Sequence, residues 1–80
     1  MDARDLELIE RLKSENPRLA ELWEQHQRFE AELEELNRRV YLTPEEQVRS
    51  RETRKLKLAG RDEMETILAR HRAGETAAQI

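Results

Sequence analysis

An all-α fold is predicted for this chain: an antiparallel, coiled-coil-like helical hairpin preceded by a short N-terminal helix. Three observations predict it. Leu19, Leu22, His26, Phe29, Leu33, Leu36 and Val40 follow one another at steps of 3, 4, 3, 4, 3 and 4, the spacing of a coiled-coil seam. Both prolines sit where a helix would start, in Asn16-Pro17 and Thr43-Pro44. Charged residues make up 41% of the 80 residues and cysteine is absent, so no disulfide or thiolate metal site staples so small a chain. Long, well-paired helices or self-association must supply its stability.

The first helix is expected from about Ala3 to Ser14, with Leu6, Leu8, Ile9 and Leu12 as a modest apolar face. Asn16 then serves as N-cap and Pro17 as first helical residue, where no N–H is needed. Pro17 also drives Asn16 away from helical angles and ends the first helix.

The second helix is expected from Pro17 to about Tyr41 and carries the seam. In Thr43-Pro44-Glu45-Glu46, Thr43 and Glu46 have the spacing of a capping box. Both glutamates suit the positive end of a helix dipole. The third helix follows from Pro44 to about Arg72, with Leu56, Gly60, Met64, Ile67 and His71 as its expected seam. One domain over residues 1–72 results, with 73–80 as a disordered tail.

A connection of two or three residues around Leu42 and Thr43 cannot cross the length of a helix, so the second and third helices must fold back on each other. This brings Glu30, Glu32, Glu34 and Glu35 beside Arg49, Arg51, Arg54, Lys55 and Lys57. Such exposed pairs set register more than stability, at about 0–1 kcal/mol each.

Two stretches resemble a known family. Glu15-Asn16-Pro17 followed by Leu22, His26 and Phe29-Glu30, and then Lys55, Lys57, Leu58, Arg61, Asp62, Glu63 and Met64, are similar in order and spacing to the YdcH-like (DUF465) family of small bacterial helical proteins. The resemblance covers about Leu8 to Leu68. It implies a helical hairpin and brings no catalytic residues, because the family has no assigned function. Gly60 departs from the pattern, standing where the family usually has leucine.

His26 interrupts the seam between Leu22 and Phe29. It reads as a structural histidine, with a pH-sensitive pin or a metal ligand as the sharper alternatives. Gly60 falls opposite His26 in the fold-back. Its missing side chain would make room for the imidazole or Trp23, or it marks a kink. Trp23 lies beside the seam and would cover the first helix or anchor a partner. Arg49, Arg51, Arg54, Lys55, Lys57 and Arg61 form a basic stripe with Glu52 as the one acid among them. The stripe reads as the ion-paired partner of the acidic helix or as a phosphate-contacting surface. An overall charge of −3 and the lack of interleaved aromatics argue against the latter.

No Gly-rich phosphate loop, nucleophile motif or Glu-x-x-His pair is present, so no enzyme and no catalytic, cofactor or metal site is expected. The stretch from Met1 to Glu10 lacks the apolar core of a secretion signal, and no apolar run suits a membrane span. The setting expected is the cytoplasm. The expected function is protein–protein interaction as a small accessory module. Leu19, Leu22, Trp23, His26 and Phe29 are its packing and docking residues, and a homo-oligomer, preferably a dimer, or an unidentified protein is its partner. Weak nucleic-acid binding through the basic stripe is the alternative.

Overall fold

A computed structural model describes the backbone of residues 2–79 and the side chains of residues 2–74. Three helices follow one another: α1 (Ala3–Leu12), α2 (Pro17–Asn37) and α3 (Pro44–Gln79). Helices α2 and α3 pack along each other as an antiparallel hairpin, and α1 contacts both. The described residues are helical or in short connections, and the molecule measures 55 × 21 × 17 Å.

Each helix starts where the local chemistry dictates. The Asp2 carboxylate accepts from the Asp5 amide at 3.0 Å, and that hydrogen bond holds its pKa below the ordinary value. Asn16 Oδ1 accepts from the Leu19 amide at 3.1 Å with Pro17 beginning α2. The capping box forms in both directions. The Glu46 amide donates to Thr43 Oγ1 at 3.1 Å, and the Thr43 amide donates to Glu46 Oε1 at 3.0 Å. Together these satisfy N–H groups that a helix start would leave open.

Two expected boundaries need correction. Helix α2 ends at Asn37, not near Tyr41, and Val40 and Tyr41 are each 88% exposed. Val40 therefore drops out of the seam. Helix α3 begins only at Pro44, so a further turn of α2 would have no helix to face. Helix α3 itself continues past Arg72 to Gln79. Gly74 costs only about 1 kcal/mol in a helix interior, and Ala73, Ala77 and Ala78 around it favour helix. Ile80 and the side chains from Glu75 onward in the expected 73–80 tail lie outside the described residues.

The main core sits at the end of the hairpin away from the α2–α3 connection. Leu8, Ile9 and Leu12 of α1 close over Leu19, Leu22, Met64 and Leu68, with Trp23 and Ile67 packed against them. Ile9, Leu19 and Met64 are fully buried. Such side chains each stabilise the fold by about 1.5–3 kcal/mol.

Nearer the connection the seam changes character. Helix α2 still buries Leu33 and Leu36, whereas α3 buries Ser50 and Thr53. The α3 seam steps through Glu46, Ser50, Thr53, Lys57, Gly60, Met64, Ile67 and His71, all buried or half-buried. Gly60, Met64, Ile67 and His71 are where the sequence reading put them. Leu56 is not in the seam: it is 56% exposed, one residue off the half-buried Lys57. Apolar character alone misplaced it, because in this half the seam residues are polar.

Candidate docking surface

The heptad spacing gives the hairpin two flanks with different fates. One is laced by ion pairs. Arg18 donates to both carboxylate oxygens of Glu63, at 3.0 and 2.8 Å. Arg49 pairs with Glu32, and Arg39 pairs with Glu46. Arg18 and Glu32 lie fourteen residues apart on one face of α2, and Arg39 follows two residues past its end, so ion pairs recur along this flank.

The other flank is marked by Trp23 on α2 and Leu68 on α3, which join the α1 cluster. Arg72, one turn beyond Leu68, meets Asp5 of α1 at 2.6 Å. Helix α1 therefore lies on this side. Counting by sevens from Trp23 gives Glu30 and Asn37, and from Leu68 gives Arg61 and Arg54. These residues continue the same flank toward the connection, past the reach of α1.

In that half the flank is an open groove. One stretch, about 300 Å³, is lined by Leu33, Arg54, Lys57, Leu58 and Arg61. A second, about 470 Å³, shares Leu33, Arg54 and Lys57 and adds Glu30, Ala31 and Glu34 among others. The shared residues make it one continuous depression with an acidic wall on α2 and a basic wall on α3. Leu58, 57% exposed, stands on its rim. Leu58 entered the sequence analysis only through the family resemblance and not as an interaction residue; its spacing of seven and three from Arg51 and Arg61 was the available signal.

The expected interaction residues divide accordingly. Leu19 and Leu22 are sealed beneath α1, and Trp23 is half-buried against the same cluster. Phe29 is half-buried farther along α2. His26 is 8% exposed. Its Nε2 faces Glu30 Oε1 at 3.3 Å, and Lys57 Nζ approaches the same oxygen at 3.4 Å. Its Nδ1 is buried without a hydrogen-bond partner. Burial lowers the His26 pKa, opposed by the Glu30 carboxylate and reinforced by Lys57. A Cβ built on Gly60 meets nothing within 4 Å. Gly60 is therefore not required to make room for His26 or Trp23, which corrects that expectation.

The basic stripe is only partly engaged. Arg49 pairs with Glu32, Lys57 with Glu30, and Arg61 with Glu65 at 3.2 Å. Among the described residues, Arg51, Arg54 and Lys55 form no ion pair, and neither does Glu34 across the groove. No set of three or more acidic, histidine or cysteine side chains gathers as a metal site among them. No described helix is long and apolar enough to cross a membrane. No family model, curated protein or solved structure matches the chain.

Proposed function

We propose that this chain is a small, non-catalytic helical docking module of the cytoplasm that binds a protein partner along the uncovered flank of its hairpin. The observation that carries this reading is the half-finished bundle. Helix α1 covers the flank at Trp23 and Leu68, and no other described element covers its continuation at Glu30, Arg54 and Leu58. The resemblance to the YdcH-like family, which rests on its short motifs, fits a module of this kind. A helix docked in the groove would extend the packing that α1 makes on the adjoining half. Docking there needs no movement of Leu19 or Leu22.

Phosphate contact through the stripe has weaker support. Three of its six cations are held by glutamates, and Glu30 and Glu34 line the same groove. A polyanion would meet repulsion beside every attraction.

Site-specific photo-crosslinking in cells tests the docking reading. A photoreactive phenylalanine replaces Leu58 in one variant and Glu52, outside the groove, in another. Covalent protein adducts from position 58 and none from position 52 are expected. Absence of adducts from position 58 would sink the reading.

A further inference from the structure

We propose that the occupant of the open groove is a second copy of this chain, related by a two-fold axis running along the hairpin. This inference rests on the docking reading above and names its partner.

The argument is one of charge and level. The groove has Glu30 and Glu34 on its α2 wall, and Arg54, Lys57 and Arg61 on its α3 wall. Arg51 lies one turn from Arg54 toward the connection. The pairs Lys57–Glu30 and Arg49–Glu32 fix the relative height of the two helices. At that register Arg51 stands level with Glu34, and Arg54 level with Glu30.

Two arrangements bring the same flank of two copies together. An axis perpendicular to the hairpin lays α2 on α2 and α3 on α3, so like charges meet. An axis running along the hairpin lays α2 of one copy on α3 of the other in the connection-proximal half and preserves height, with the two hairpins diverging toward the far end, where α1 lies on the same flank of each copy. Glu34 of each copy then meets Arg51 of the other, and Glu30 meets Arg54, each contact occurring twice. This arrangement gives Glu34, Arg51 and Arg54 the partners they lack within one chain. It also covers Leu58 in both copies. A helix carrying one sign of charge would suit one wall and be repelled by the other. The second copy suits both.

The test is sedimentation of the full chain over a concentration series, with two charge-reversed variants. Glu34→Arg makes the groove basic throughout its free residues. Arg51→Glu reverses the other member of the same contact and leaves Glu30 facing Arg54. Both positions are exposed, and far-UV circular dichroism checks that each variant stays helical. Wild type is expected to dimerise, about tenfold more weakly in high salt than in low. Each variant alone is expected to be monomeric where wild type is dimeric, and their equimolar mixture is expected to recover the mass of two chains. A monomeric wild type, a variant that dimerises like wild type, or a mixture that stays monomeric would overturn the inference. The adducts from position 58 separate the two proposals. Adducts with a different protein would leave the docking reading standing without this one, whereas no adducts at all would remove both.

Discussion

The imidazole of His26 stacks on the indole of Trp23, with ring centroids 5.8 Å apart and planes 17° from parallel. The stack holds a titratable ring at the edge of the core while Glu30 fixes one of its nitrogens. With the Nε2 proton directed to Glu30, Nδ1 is the buried acceptor without a donor. Protonating Nδ1 would bury a charge with nothing to receive its hydrogen bond.

Stability should therefore fall in mild acid. The folded-state pKa of His26 lies below its ordinary value of 6.5. Above that value the ring is neutral in both states and its contribution is fully present. As pH falls below it, the unfolded chain takes up the proton first and stability is lost until the folded-state pKa is passed. Glu30 and Lys57 act on the ring in opposite directions. Urea midpoints at pH 7.5 and 5.5 check this. His26→Leu, which has no proton to bind, should narrow the difference between the two midpoints.

Ile9 is the residue on which α1 depends. It is completely buried among Leu19, Leu22, Met64 and Leu68. Ile9→Ala should cost about 2–5 kcal/mol, a large share of the total for a domain of this size. Trp23 reports the event because it packs on the same cluster. Its fluorescence should shift to the red in the variant before helical signal is lost, as α1 lifts from an intact hairpin. Simultaneous loss of both signals would show that the hairpin does not stand without α1.

Gly60 should be replaceable with a gain. Its place is in a helix interior, and a Cβ there meets nothing within 4 Å. Gly60→Ala should raise stability by about 1 kcal/mol, through reduced backbone freedom of the unfolded chain. Thermal melting of the two proteins side by side decides it. A lower midpoint in the variant would contradict the open space found around this residue.

The parts of the fold legible in the sequence are those written in apolar spacing or cap chemistry. Leu19, Leu22, Leu33 and Leu36 announced the α2 seam, and Thr43 with Glu46 announced the start of α3. The connection-proximal half of the α3 seam was illegible because Ser50, Thr53 and Lys57 carry no apolar signal. The exposed Leu56 and Leu58 carried a misleading one. Extending the heptad backward from Met64 would have found it: Met64, Gly60, Lys57, Thr53, Ser50 and Glu46 keep the 4, 3, 4, 3, 4 steps. The groove was hidden for a further reason. Its existence depends on where α1 stops along the flank, a tertiary fact that neither propensity nor periodicity encodes.

The polar half of the seam invites a final substitution. Thr53 is 4% exposed and lies in the same half of the hairpin as Leu33 and Leu36. Burial of a hydroxyl costs free energy that a methyl group does not, and β-branching is retained in valine. Thr53→Val should therefore stabilise the hairpin by about 1 kcal/mol, read as a higher urea midpoint with an unchanged slope. Ser50→Ala, at the neighbouring buried residue, should change stability in the same direction through better helix propensity. A loss in both variants would mean that these hydroxyls hold hydrogen bonds worth more than their desolvation, and that the seam is polar here because it is stronger so.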